Sequence, residues 1–310
     1  MKILITGGAG FIGSHIADAF IKAGHEVVVL DDLSSGRREN LNPQAHFING
    51  DIGDGELLGR IFAEHQFDIV NHHAAQMDVR KSVADPLFDA KINIVGSLGL
   101  LEASRKHGVA RFIFASTGGA IYGEQDYFPA DEKHPTRPES PYGIAKRSVE
   151  LYLAYYQKVH GLKHTIFRYA NVYGPRQDPH GEAGVVSIFS NALLDGKECT
   201  IYGDGTQTRD YVYVGDVVRA HLLAVEKDPA SVTLNISTAI ETDVNELFAQ
   251  LSAIISSADA KPKYAEPRKG EQKRSVCSND KAGEILGWKP TISLKDGLAM
   301  TVDYFRANRS

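Results

Sequence analysis

The sequence predicts an α/β protein: a doubly wound parallel sheet followed by a second, smaller α+β lobe. Three observations lead there. Short apolar runs alternate with helical patterns through the first half of the chain. A glycine-rich turn joins the first strand pattern to the first helix pattern. After Gly174-Pro175 the alternation loosens into helices mixed with short strands. Repeated strand–helix units imply parallel strands with helices on both faces.

The strand patterns fall at 2–6, 26–31, 46–50, 68–72, 111–116 and 163–168, each short, rich in Val, Ile or Phe and bounded by polar residues or glycine. Helical patterns lie between them at 12–24, 54–65, 90–108 and 141–160. Beyond residue 174, helices are expected near 184–196, 243–257, 279–286 and 294–306, with short strands at 199–202 and 233–237. Residues 1–174 therefore read as one domain with a return segment at about 212–237, and residues 175–310 as the second lobe. With no repeat, low-complexity tract or flexible linker between them, the lobes are expected to pack tightly around a cleft.

Composition narrows the function. A chain of 310 residues buries roughly 75% of its unfolded surface and needs no staples. Lys and Arg number 34 against 39 Asp and Glu, a net charge of −5, which argues against a nucleic-acid partner, whose backbone demands clustered positive charge. The two cysteines, Cys199 and Cys277, lie far apart without Cys or His at metal spacing, so neither a disulfide framework nor a zinc site is expected, and a reducing compartment is. Of twelve histidines, His72 and His73 are adjacent and point to opposite faces of a strand. No apolar run reaches the ~18 residues of a membrane span. The chain enters strand pattern at once from Met1 with no export signal, and a cytoplasmic protein is expected.

Strand one runs into Gly7-Gly8-Ala9-Gly10-Phe11-Ile12-Gly13 with a helix behind it. The spacing Gly8-x-Gly10-x-x-Gly13 is the dinucleotide fingerprint: glycines permit the tight turn and let backbone N–H groups approach a pyrophosphate at the helix start. Asp31 ends strand two, 18 residues past Gly13. A carboxylate there accepts from the adenosine ribose and repels a 2′-phosphate, favouring NAD; Arg37 and Arg38 nearby keep NADP open. Farther on, Ser140-Pro141 reads as a helix start, which places Tyr142 in the first turn and Lys146 on the same face one turn later. An adjacent cation and the helix N-terminus both favour phenolate, making Tyr142 a candidate general base.

With these residues in view, the whole chain resembles the extended short-chain dehydrogenase/reductases, and within them the NAD-dependent nucleotide-sugar epimerases of the UDP-glucose 4-epimerase type. The marks are Thr6 through Gly13, Gly50-Asp51-Ile52, His72-His73-Ala74-Ala75, Asn93, Ser116-Thr117, Tyr122-Gly123, Tyr142-x-x-x-Lys146, Arg168 through Pro175, Arg209 through Val214 and Leu286-Gly287-Trp288. The resemblance implies a Rossmann domain for NAD and a second lobe for a UDP-sugar. On the cofactor side it implies Gly7, Gly10, Phe11, Ile12 and Gly13 at the pyrophosphate, and Asp31, Asp32, Ser35 and Gly36 around adenosine. Asp51 and Ile52 would touch the adenine, Ala74, Ala75 and Asn93 line the channel, and Tyr142, Lys146 and Tyr169 complete the set, Lys146 holding the nicotinamide ribose. On the substrate side it implies Asn171 at the sugar nucleotide, Tyr202 on the uracil, Arg209 and Arg268 clamping the diphosphate, and Glu271 at the ribose. Arginine forks suit phosphate oxygens. The implied reaction oxidises C4 of the sugar, lets the 4-keto sugar turn over in the cleft, and reduces the other face. A homodimer through a helix bundle is implied as well.

The chain departs from the family pattern at one catalytic position. Counted back from Tyr122-Gly123, the usual Ser or Thr falls on Gly118, so Thr117 is expected to bond the sugar O4, with Ser116 supporting it. The same Thr117-Gly118-Gly119 stretch lacks the acid that related 4,6-dehydratases and UDP-glucuronate decarboxylases carry there. Ala115-Ser116-Thr117-Gly118 is not a hydrolase G-x-S-x-G frame either. At the gate beside the sugar, spacing from Arg268 and Lys281 puts Ser275, small enough to leave room for a 2-acetamido group, so UDP-GlcNAc and UDP-GalNAc are expected substrates beside UDP-glucose and UDP-galactose. Two rivals stay open: a sister epimerase for another activated sugar such as UDP-glucuronate, and a non-catalytic NAD-sensing module, which would have no use for Tyr142 and Lys146.

Overall fold

In the computed structural model, which describes residues 1–178, 184–255, 260–267 and 272–309, seven parallel strands form the central sheet. They are β1 (Lys2–Thr6), β2 (Glu26–Asp31), β3 (His46–Asn49), β4 (Ile69–His72), β5 (Arg111–Thr117), β6 (Lys163–Tyr169) and β7 (Val232–Ile236), in the order β7-β6-β5-β4-β1-β2-β3. Each lies within one residue of its expected position. Chain order reverses between β1 and β4, so the crevice beyond their C-terminal ends is where a doubly wound sheet binds its ligand.

Strand alternation sorts the core into two layers. Ile3, Ile5, Val27 and Val29 face one side and pack with Ile16 and Phe20 of α1 (Phe11–Lys22). Leu4, Val28, Phe112 and Phe114 face the other, against Leu58 and Phe62 of α2 (Gly55–His65), Leu100 and Leu101 of α3 (Ser97–Lys106), and Val149 and Leu153 of α4 (Pro141–His160). The α4 boundaries match the expected helix. The pattern at 90–108 resolves instead into a π-helical turn, Lys91–Gly96, running into α3.

The first face is completed by α5 (Val214–Lys227), whose Val217, Ala220 and Ala224 pack on α1 and the sheet. This helix carries no start signal, because no side chain caps it at Tyr213. Ala282, Leu286 and Trp288 also sink into this core, and the Trp288 indole donates to the Asp216 carbonyl at 2.8 Å. A segment expected in the second lobe is thus packed against the main sheet. The remaining cluster joins Phe189 and Leu193 to Leu247, Leu251, Leu298 and Val302, from the helices Val185–Leu194, Val244–Ile255 and Leu294–Ala307. Among the described residues no helix is long and apolar enough to cross a membrane.

One buried ion pair fixes α4 on the sheet. Arg168 on β6 donates through Nε and Nη2 to the two Glu150 oxygens, at 2.9 and 2.7 Å, and both side chains are under 5% exposed. Ser116 Oγ donates to the same carboxylate at 2.7 Å and Arg147 Nη1 at 2.9 Å. The remaining Arg168 nitrogen donates to Tyr122 OH at 3.0 Å, and that hydroxyl donates in turn to Asn235 Oδ1 on β7 at 2.7 Å. Glu150→Gln keeps the shape and removes the charge that two guanidinium groups face. It is expected to cost about 3–5 kcal/mol in urea unfolding, the penalty for an uncompensated buried charge; a loss under ~1 kcal/mol would mean the pair does not anchor the helix.

Candidate active site

At the end of β1 the chain turns through Gly7, whose φ of +70° is in the left-handed region and whose N–H donates to Leu30 O at 2.9 Å. A Cβ on Gly8 would lie 2.7 Å from Val29 Cγ1, and one on Gly13 would overlap the Gly7 carbonyl. Only glycines let α1 start this close to the sheet. No side chain caps α1 at Gly10, so the positive end of the helix, at Phe11 and Ile12, faces the crevice, as a pyrophosphate requires.

Asp31 lies under this loop. Its Oδ2 accepts the Ala9 N–H at 2.9 Å and its Oδ1 the Leu33 N–H at 2.8 Å, while burial pushes its pKa up. Gly36 approaches so closely that a Cβ there would lie 2.7 Å from Asp31 Oδ1. Asp32 and Ser35 are exposed, and Asp32 Oδ1 accepts from the Ser34 N–H and hydroxyl. Neither nearby arginine waits for a 2′-phosphate: Arg37 donates to Asp178 at 3.1 Å, and Arg38 stacks over Phe47 at 5.1 Å. The pocket fits the dinucleotide without that phosphate.

The other expected cofactor residues divide by location. Asp51 is exposed, with Oδ1 accepting the Gly53 N–H at 2.8 Å. Ile52 is buried in the core against Gly96. Ala74 and Ala75 are half-buried where β4 ends, Ala74 pressed on Gly7. Asn93 stands behind them: its amide bonds both backbone groups of Gln76, at 2.9 and 2.7 Å, and Asp89 at 2.9 Å. It therefore holds the Gln76 backbone in place. Tyr169 is also turned inward, its hydroxyl bonded to His221 and within 3.2 Å of His73 Nε2. Burial drives the His73 pKa down to about 3, so this imidazole is neutral at physiological pH.

Helix α4 begins as expected, with Ser140 Oγ accepting the Gly143 N–H at 3.1 Å and Pro141 in the first turn. Lys146 is buried; its Nζ donates to the Ala115 carbonyl at 2.9 Å and sits 5.8 Å from the Tyr142 ring centre. The ammonium is thereby held to β5 on one side and to the phenol ring on the other. Next to Tyr142, a Cβ on Gly143 would lie 2.6 Å from the Ala120 carbonyl, so the start of α4 rests on the short turn Gly118–Ile121.

That turn is capped by Thr117, whose Oγ1 accepts the Ala120 N–H at 3.1 Å. Ser116, expected to support the same chemistry, faces the opposite side of β5 and spends its hydroxyl on Glu150; successive strand residues cannot share a face. Its support is structural. Asn171 does converge with Thr117: a Cβ on Gly119 would lie 3.6 Å from Asn171 Oδ1 and 3.9 Å from Thr117 Oγ1.

The substrate-lobe residues gather farther out. Tyr202 lines a cavity of about 720 Å³ with Gln207, Tyr264, Pro267, Gln272 and Lys273. Arg209 is half-buried, and Asp210 beside it ties this strand to Thr238 and Ala239; burial pushes the Asp210 pKa up to about 6. Ser275 pairs with Arg209 across two short strands and is 5% exposed. Arg268 and Glu271 lie outside the described residues. Sequence reading missed Glu150, although its position one turn past Lys146 was a signal, and missed Cys277, for which no local signal exists. Among the described residues no group of three or more His, Cys, Asp or Glu is placed to hold a metal ion.

Known proteins share this fold. A putative UDP-glucose 4-epimerase of Methanocaldococcus jannaschii is 47% identical over 306 residues, covering 99% of both chains. The crystal structure of a UDP-glucose 4-epimerase from Thermotoga maritima with UDP-glucose matches at 54% identity and a TM-score of 0.97, over 99% of each chain. The Thermus thermophilus UDP-glucose 4-epimerase in complex with NAD matches at 44% and 0.94 over the full length of both. The model of the NAD dependent epimerase/dehydratase family matches residues 3–237, and the chain belongs to that family.

Proposed function

We propose that this protein catalyses the reversible, NAD-dependent 4-epimerisation of UDP-sugars, UDP-glucose and UDP-galactose among them. The observation that carries this reading is Lys146, bonded to the Ala115 carbonyl and set beside Tyr142 at the mouth of a dinucleotide crevice. NAD, when bound, supplies the redox step at C4 of the sugar. Tyr142 takes the proton from the 4-hydroxyl and returns it after the sugar has turned over. Lys146 orients the phenol and the nicotinamide ribose, Thr117 bonds the sugar O4, and Asn171 bonds the sugar nucleotide. Asp31 accepts from the adenosine ribose. Arg209 and, by sequence, Arg268 grip the diphosphate, so affinity comes from the part that stays still while the sugar swings. Gly118 and Gly119 offer no carboxyl group, which separates the reaction from a 4,6-dehydration.

A second copy of the chain fits α4. Ile144, Leu151, Tyr152, Tyr155 and Val159 are all exposed there, at spacings that place them along one face. This supports the homodimer, with the buried unpaired cysteines fitting a reducing cytoplasm. Sedimentation is expected to return twice the 33.9 kDa chain mass; a monomer at micromolar concentration rejects the interface.

Incubation with UDP-galactose, UDP-GalNAc and UDP-galacturonate, followed by product analysis, tests the activity. Conversion of the first two is expected and conversion of none defeats the reading. Tyr142→Phe should lower turnover at least ~100-fold while leaving bound NAD in place. Ser275→Tyr should remove acetamido-sugar activity alone; loss of both activities, or of neither, counts against Ser275 as the gate.

A further inference from the structure

The missing side chain at 118 has a steric cause. A Cβ built on Gly118 lies 2.9 Å from Cys277 Sγ and 3.2 Å from the Tyr169 carbonyl oxygen. Cys277 has little freedom to retreat. It is 1% exposed among Ile121, Tyr122 and Ala130. Its backbone forms a bridge to Ala130 and accepts from Ser237 Oγ at 2.9 Å, and its thiol reaches the Gly118 carbonyl at 3.9 Å. The neighbouring Gly119 is different. A Cβ there meets only Asn171 Oδ1 and Thr117 Oγ1, at the ordinary contact distances of 3.6 and 3.9 Å. The protein itself has room for a methyl group at 119, but that methyl would occupy the space onto which the two polar side chains converge.

We propose that Gly118, Gly119 and Cys277 act as one positioning unit that shifts the sugar-contacting hydroxyl from residue 118 to Thr117. Cys277 fills the volume a side chain at 118 would need, and the bare face of Gly119 admits the sugar ring to Thr117 Oγ1 and Asn171. The cap bond from the Ala120 N–H fixes Thr117 Oγ1 as an acceptor on the protein side, which leaves its hydrogen to donate to the sugar O4. Cys277 does not touch the substrate in this arrangement; it acts through the backbone at 118. The proposal rests on the epimerase reading and deepens it by naming what sets the room beside the hydroxyl.

The test uses NAD-loaded protein and reads kcat, KM for UDP-galactose, affinity for UDP and melting temperature. UDP affinity reports the nucleotide end and is blind to the sugar pocket. Gly119→Ala is expected to keep the melting temperature and UDP affinity of the wild type while kcat/KM falls at least ten-fold. Wild-type kinetics from that variant overturn the proposal. In the second arm Thr117→Ala is expected to lose at least ten-fold in kcat. Adding Gly118→Ser together with Cys277→Ala is expected to regain ten-fold or more, because the vacated thiol volume accepts a hydroxyl at 118. Thr117→Ala at wild-type rate, or no regain in a triple variant whose melting temperature and UDP affinity are intact, overturns it. If the triple variant does not fold, Gly119→Ala decides alone. A wild-type protein inert on every UDP-sugar is a different result, one that removes the epimerase reading itself.

Discussion

The arrangement depends on keeping α4 rigid against β5 and β6, and a charge buried between them does this. Glu150 sits one turn beyond Lys146 and accepts from Nε and Nη2 of Arg168, the Ser116 hydroxyl and Arg147. Hydrophobic contact through Val149 and Leu153 presses the helix on the sheet but is not directional. The bidentate pair is directional, and it sets helix rotation. Rotation is what places Tyr142 and Lys146 over the crevice and not beside it. The Lys146 bond to Ala115 O then fixes the ammonium to the sheet independently of the Glu150 pair. Two separate anchors to adjacent residues of β5, Ala115 and Ser116, locate Tyr142, the base of the proposed reaction, which there must meet a sugar hydroxyl within hydrogen-bond reach.

Closeness is the second constraint, and it explains the glycines. Gly8 lets the loop touch Val29, Gly13 lets α1 start against Gly7, and Gly143 lets α4 rest on the turn after Thr117. At Gly13 and Gly143 two backbones meet where a methyl group would force them apart, and at Gly8 the loop meets the Val29 side chain. Main-chain donors are fixed in place before a ligand arrives, so little ordering is left to be done on binding. Asp31 follows the same logic: two backbone N–H groups hold a carboxylate that burial alone would disfavour as an anion.

The smaller lobe has a looser assignment. It has its own apolar cluster, yet Leu234, Ala282 and Trp288 belong to the core of the main sheet. The chain crosses between the two bodies several times. These crossings bring Arg209 and Ser275 into one ladder and carry Cys277 beneath Gly118. On the proposed reading, the sugar site is assembled from segments of both bodies.

Features written over a few consecutive residues were legible in the sequence. The glycine loop, Asp31 at the end of β2 and the i, i+4 relation of Tyr142 to Lys146 depend on local turn geometry and helix periodicity, which a short stretch of chain sets by itself. The parallel sheet follows from the same local alternation. Tertiary structure alone decided matters that depend on which distant surfaces meet. Ser116 turned out to serve Glu150, because strand alternation gives it the face opposite Thr117. Asn93 and Tyr169 are spent on Gln76 and His221, partners chosen by packing. Helix α5 lacks a local cap and is held by the core it covers. Cys277 fills a space 159 residues away along the chain, and excluded volume of that kind leaves no mark on the sequence around either residue.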